Sequence, residues 1–159
     1  MKVLLCAGGT GGGIYPALAT AQAIRRLDPD AGLLWLGGRG GMEEQLVPLA
    51  GITLEPLPSA GMHGVGWTEA PGNAARLLAG MVEAWRIIGR FGADAVFVTG
   101  GYLTVPAVAA ARLRSVPIVL YVPDIEPALA AKFAARFARR IAVTADRSAT
   151  YYPKNAPVV

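Results

Sequence analysis

The chain has 159 residues, of which 53% are hydrophobic and 16% charged, and a formal net charge of +4. That length points to one domain, no apolar run reaches the roughly 18 residues of a membrane span, and a lone cysteine, Cys6, excludes an internal disulfide and gives zinc or thiol chemistry little to stand on. The basic balance suits an acidic partner such as a diphosphate or lipid head groups; with no zinc finger, RNP motif or basic tail, nucleic acid is not expected.

Val3 to Cys6 is a short apolar run and predicts a strand buried on both faces. It leads into Gly8, Gly9, Thr10, Gly11, Gly12 and Gly13. Pro16 then suits the first turn of a helix spanning Pro16–Leu27, with Leu18, Ala21, Ala23 and Ile24 inward and Arg25 and Arg26 near its end. Leu33–Leu36 predicts a second strand. Met42–Ala50 reads as a short helix with Glu43 and Glu44 in its first turn, and Ile52–Leu57 as a third strand. A glycine-punctuated loop, Ser59–Thr68, precedes a long helix from about Pro71 to Phe91. Ala93–Val98 and Pro117–Tyr121 read as strands, with the pair Gly100-Gly101 and a helix, Leu103–Leu113, between them. Helix Pro127–Arg139 and strand Ile141–Thr144 complete the pattern.

Strict alternation of short apolar strands with helices predicts an α/β fold, a Rossmann-like doubly wound parallel sheet with helices on both faces. Ligands bind such sheets at the carboxyl ends of the strands, where Gly8–Gly13, Ser59–Thr68, Thr99–Tyr102 and Tyr121–Glu126 fall. Strand, glycine run and helix start form an anion site, because backbone N–H groups can approach a ligand and the helix terminus adds partial positive charge. The spacing matches neither G-x-G-x-x-G, since Ile14 stands at the third glycine, nor a P-loop. A plain tight turn is the alternative, but five glycines in six positions exceed what a turn needs. Two glycine runs at one sheet edge can cradle a diphosphate.

Gly8-Gly9-Thr10-Gly11-Gly12 with Pro16-Ala17-Leu18-Ala19 resembles the N-terminal signature of the MurG-like glycosyltransferases of family 28. Met42-Glu43, Leu46-Val47-Pro48, Gly51-Ile52, Thr99-Gly100-Gly101-Tyr102 and Pro117-Ile118-Val119-Leu120 extend the resemblance along the whole chain. The family has the two-domain GT-B architecture. The resemblance implies an acceptor-binding, membrane-associating N-terminal domain over residues 1–159, without the C-terminal donor domain. It implies an inverting transfer of N-acetylglucosamine from UDP-GlcNAc to a lipid-linked muramyl-pentapeptide diphosphate, in the cytoplasm at the inner face of the membrane. No cofactor or metal is implied, and this chain alone is expected to be inactive. Gly8, Gly9, Thr10, Gly11, Gly12, Gly13, Gly100, Gly101 and Tyr102 are then the acceptor diphosphate ligands.

Two departures stand out. The family has His where this chain has Gly13, and a His-Glu-Gln-Asn segment where it has Tyr121-Val122-Pro123-Asp124. An acceptor hydroxyl must lose a proton as it attacks, so Asp124 and then Glu126 become the candidate catalytic groups. Glu126 can instead favour the following helix N-terminus, and His63 is expected to lie solvated in its loop. These departures leave room for a different lipid or small-molecule acceptor. A non-catalytic recruiting subunit of a split transferase is a second reading, and a phosphate-ligand domain of response-regulator or flavodoxin type a third.

Along the long helix, Leu77, Leu78, Met81, Trp85 and Ile88 recur at helical spacing, which an ordinary packed stripe explains. Val82, Ile87, Met62, Val65 and Trp67 widen the apolar arc, and Arg76 and Arg86 rim it. Met62, Trp67, Arg76, Leu78, Trp85 and Arg86 are therefore the expected patch for an anionic membrane surface, with Lys132, Arg136, Arg139 and Arg140 extending it.

Overall fold

The computed structural model of the chain describes residues 1–57, 70–153 and 156–159. Its apolar runs form six strands: β1 (Lys2–Cys6), β2 (Gly32–Gly37), β3 (Thr53–Pro56), β4 (Ala95–Val98), β5 (Ile118–Val122) and β6 (Arg140–Val143). Between them lie α1 (Gly11–Leu27), α2 (Glu43–Leu49), α3 (Ala70–Phe91), α4 (Thr104–Leu113) and α5 (Leu129–Ala135), and a 3₁₀ turn (Asp146–Tyr151) follows β6. All strands pair in parallel in the order β3-β2-β1-β4-β5-β6. This is the Rossmann order, in which the chain reverses its direction of winding between β1 and β4. Val3 stands opposite Leu33 on one side and Ala95 on the other, and Cys6 opposite Leu36 and Val98.

Alternation along the buried strands builds a core on each face. Leu4, Cys6, Leu34, Leu36, Val96, Val98 and Leu120 pack with residues of α3, α4 and α5. Val3, Leu5, Trp35 and Phe97 point the other way, toward Ile14, Ala17 and Ala21 of α1 and Val47 of α2. Trp35 is fully buried, and its indole N–H donates to the Ala7 carbonyl at 2.9 Å, which satisfies the one polar atom it brings inside. Among the described residues no helix is long and apolar enough to cross a membrane.

Four elements depart from the sequence reading. First, α1 begins at Gly11, with Thr10 extended before it, so Gly11, Gly12 and Gly13 form the first helical turn and Pro16 lies in the second. Pro16 cannot donate to the Gly12 carbonyl; the helix holds because Ile14, Ala17 and Ala21 are anchored in the core. Second, Glu43 and Glu44 share the first turn of α2 as the sequence places them, but Glu43 is fully buried, which the sequence reading did not anticipate, while Glu44 stays exposed. Third, α3 buries Gly80, Ala84, Ile87 and Ile88, while Leu77, Leu78 and Trp85 of the expected stripe are exposed. Small residues at positions 80 and 84 let α3 lie close to the alanine-rich α4, where Ala107, Ala110 and Ala111 are buried. Fourth, α5 ends at Ala135 rather than Arg139, because the Arg139 N–H already bonds to Ile118 O at 2.7 Å and draws the chain into the sheet. Residues 59–68, including His63, Met62, Val65 and Trp67, lie outside the described residues.

Candidate functional site

At the β1/β4 switch point the segments after β1, β4 and β5 meet. They enclose a cleft of about 140 Å³. Gly8, Thr10, Gly12 and Gly13 line it from the segment after β1, Thr99, Gly100 and Gly101 from that after β4, and Pro123 and Asp124 from that after β5. Gly9, Gly11 and Tyr102 lie beside these residues in the chain without lining the cleft. Glu126 does not line it either: its exposed carboxylate lies 3.8 Å from Lys132 Nζ.

Several backbone and side-chain groups at the cleft have unused hydrogen-bonding capacity among the described residues. Thr10 accepts the first helical bonds, from the N–H groups of Gly13 and Ile14, at 3.2 and 3.3 Å. The N–H groups of Gly11 and Gly12, among the described residues, donate to no backbone carbonyl. They are the orphan donors of a 17-residue helix, at its positive end. Gly101 has φ +83 and its missing Cβ would lie 3.2 Å from Gly8 O, so only glycine lets the two runs approach this closely. Thr99 is 6% exposed, and its hydroxyl, among the described residues, has no hydrogen-bond partner. A Cβ on Gly13 would lie 2.8 Å from that hydroxyl, so the space opened by Gly13 is the space Thr99 borders. The sequence placed Thr99 in a strand-end loop and in the run Thr99-Gly100-Gly101-Tyr102 but left it out of the expected ligands; its position directly before Gly100-Gly101 was the available signal.

Beneath the glycines lie three titratable groups. The Cys6 thiol is pushed up to about 12, first by burial and then by the negative charge of Glu43, so it stays protonated and inert. The Tyr102 phenol is raised as well, by burial, then by Glu43, then by Cys6. No described set of three or more His, Cys, Asp or Glu side chains is grouped to hold a metal ion. The Asp28-Pro29-Asp30 spacing occurs in the turn between α1 and β2, at the opposite end of the sheet, where Asp28 meets the N-terminal amine at 3.3 Å.

On α3, Leu78 and Trp85 are 57% and 43% exposed, and Arg76 and Arg86 flank them in solvent. Met81, Val82, Trp85 and Leu113 of α4 border a shallow apolar depression. The Arg114 guanidinium lies 3.8 Å from the Trp85 ring centroid and donates to the Trp85 carbonyl, which locks the indole to the surface. Met62 and Trp67, the other expected members of this patch, fall outside the described residues.

Fold and cleft together define a doubly wound α/β domain with a glycine-lined cleft at its switch point. Residues 3–143 match the glycosyltransferase family 28 N-terminal domain, and the chain belongs to that family. It is 37% identical over its full length to a Symbiobacterium thermophilum UDP-N-acetylglucosamine--N-acetylmuramyl-(pentapeptide) pyrophosphoryl-undecaprenol N-acetylglucosamine transferase, covering 42% of that protein. It is equally similar to the protein of the same name from Desulforudis audaxviator, of which it covers 43%. The crystal structure of Acinetobacter baumannii MurG superposes with a TM-score of 0.84 at 27% identity, over 99% of this chain and 45% of that one. S. aureus MnaA, solved with UDP, shares only the fold, with a TM-score of 0.70 at 13% identity over 99% of this chain and 44% of its own. The chain thus spans less than half the length of these relatives.

Proposed function

We propose that this chain is the acceptor-binding half of an inverting hexosyltransferase that moves N-acetylglucosamine from UDP-GlcNAc to a lipid-linked diphosphate sugar. The observation that carries the reading is the cleft at the switch point, lined by Gly12 and Thr99, whose N–H and hydroxyl have no hydrogen-bond partner among the described residues, with the similarly free Gly11 N–H next to it in the chain. A diphosphate supplies the acceptors that these donors lack. Gly8, Gly12, Gly13, Gly100 and Gly101 give it backbone at close range.

Asp124 lines the cleft together with the glycines and is the candidate base. As the acceptor hydroxyl oxygen bonds to the anomeric carbon, the bond from that carbon to the UDP oxygen breaks, and Asp124 takes the hydroxyl proton. Glu126, turned toward Lys132, serves less directly. The donor is held by the part of the protein that its relatives carry beyond the length covered here. The exposed apolar face of α3, with Arg76, Arg86 and Arg114 beside it, docks on the anionic inner face of the membrane and brings the cleft to the lipid acceptor.

Co-sedimentation with liposomes tests this reading, with and without anionic lipid and with and without a polyprenyl diphosphate sugar. Salt-sensitive binding that strengthens when the diphosphate lipid is present supports it. Binding to neither removes the membrane role and points to a soluble acceptor.

A further inference from the structure

Glu43 is a fully buried carboxylate for which the proposed reaction has no use, and among the described residues it forms no ion pair. A charge taken out of water is costly unless hydrogen bonds replace its hydration. Here two backbone N–H groups from different segments do so. Gly38, after β2, donates to Oε1 at 2.8 Å, and Gly9, after β1, lies at 3.4 Å from Oε2. Glycines make room for the same side chain from three directions. A Cβ on Gly8 would stand 2.5 Å from Oε1 and one on Gly37 2.9 Å from Cγ, and one on Gly41 would overlap the carboxylate. Part of the glycine run read from sequence as ligand space is therefore occupied from below by Glu43.

The consequence reaches the cleft. With its N–H turned inward to Glu43, Gly9 adopts φ +89, a conformation that favours glycine. The chain then passes through extended Thr10 into α1, leaving the Gly11 and Gly12 N–H groups without carbonyl partners. We infer that Glu43 is the positioning residue of the anion cleft, its carboxylate tying the segments after β1 and β2 together and setting the direction of the α1 N-terminus. It touches no ligand and acts through Gly8 and Gly9. This inference rests on the anion reading of the cleft.

The test is titration of the chain with inorganic pyrophosphate, followed through the amide resonances of Gly11 and Gly12, alongside hydrogen exchange at Gly9 and Gly38. Glu43→Gln keeps the side chain's size but turns an amide NH2 toward one of the two donors. It is expected to weaken pyrophosphate about tenfold or more and to speed exchange at Gly9 and Gly38. Gly8→Ala pushes on the carboxylate without removing any polar group, and covers the case in which Glu43→Gln does not fold. Alone it weakens binding, and added to Glu43→Ala it costs little more, a coupling that independent sites lack. A wild type that binds while both single variants bind within twofold of it overturns this inference and leaves the anion cleft standing. A wild type that shows no pyrophosphate response overturns the anion reading itself, and this inference with it.

Discussion

Thr99 holds a hydroxyl that is almost wholly buried and, among the described residues, unpartnered, at the edge of the space that Gly13 leaves open. Such a group costs stability in the empty protein and repays it when an acceptor arrives. Thr99→Val keeps the shape and removes the hydroxyl. It should leave unfolding free energy unchanged or raise it by up to about 1 kcal/mol, while weakening pyrophosphate several-fold. Thr104 has a similarly unpartnered hydroxyl but does not line the cleft, so Thr104→Val should show the first effect without the second. Calorimetric unfolding and titration of the two variants decide this; equal binding by Thr99→Val removes Thr99 from the site. Cys6 makes a pH prediction. Its thiol rises from an ordinary 9.0 to about 12 on folding, so the folded state holds the proton more tightly than the unfolded state. That contribution is whole below pH 9 and declines as pH rises toward 12. Denaturant unfolding at pH 9 to 10 should show stability falling with pH, with Tyr102 and Tyr152, raised from an ordinary 10.0, adding to the fall toward the upper end of that window. The slope should flatten in Cys6→Ala. The native thiol should also resist alkylation at about pH 8 and react once the chain is unfolded.

The helices show what periodicity can and cannot decide. The strands were legible because strands buried on both faces read as unbroken apolar runs, and Val3–Cys6, Leu33–Leu36 and Ala95–Val98 have no other use. The glycine run was read as a ligand approach, and Gly8, Gly12 and Gly13 line the cleft to which that proposal is attached. Its helical part was not legible, since three consecutive glycines are poor helix formers and only the packing of Ile14 and Ala17 behind them fixes the turn. Glu43 was placed correctly in the first turn of its helix, but its burial was not legible, because it depends on Gly8, Gly37 and Gly41 converging from separate segments, which no local pattern records. On α3, apolar residues occupy more than half the circumference, so spacing alone could not choose the inward face; close approach to α4 selected Gly80 and Ala84. That assignment predicts opposite outcomes for two alanine substitutions. Ile88→Ala leaves a cavity in the core and should cost about 2–5 kcal/mol. Leu78→Ala, on the solvent side, should stay within about 0.5 kcal/mol of wild type. Urea unfolding of both variants checks the orientation of the helix, and a reversal of the two costs would invert it.

Parallel winding brings three segments from distant parts of the chain to one sheet edge, so the cleft exists only once β1, β4 and β5 are in register. Glycine backbone, the Thr99 hydroxyl and one carboxylate, Asp124, line it, but the proposed transfer needs two substrates held in line. Alignment contributes effective molarities of up to about 10⁵–10⁸ M, and a domain that holds one substrate cannot supply it. The relatives named for this transfer are more than twice as long as this chain of 159 residues, which covers 42% of one and 43% of another. Residues 1–159 on their own should therefore bind pyrophosphate and diphosphate lipid yet release no UDP from UDP-GlcNAc, with or without acceptor. Joined to the remainder of a family 28 transferase, the same domain should support UDP release that depends on acceptor, and Asp124→Asn should lower it about 10²–10⁴-fold if that carboxylate is the base. A UDP-release assay on the domain and on the joined protein separates the possibilities. Turnover by residues 1–159 alone would mean that this domain holds the donor as well, and unchanged turnover in Asp124→Asn would move the proton to another group in or beside the cleft.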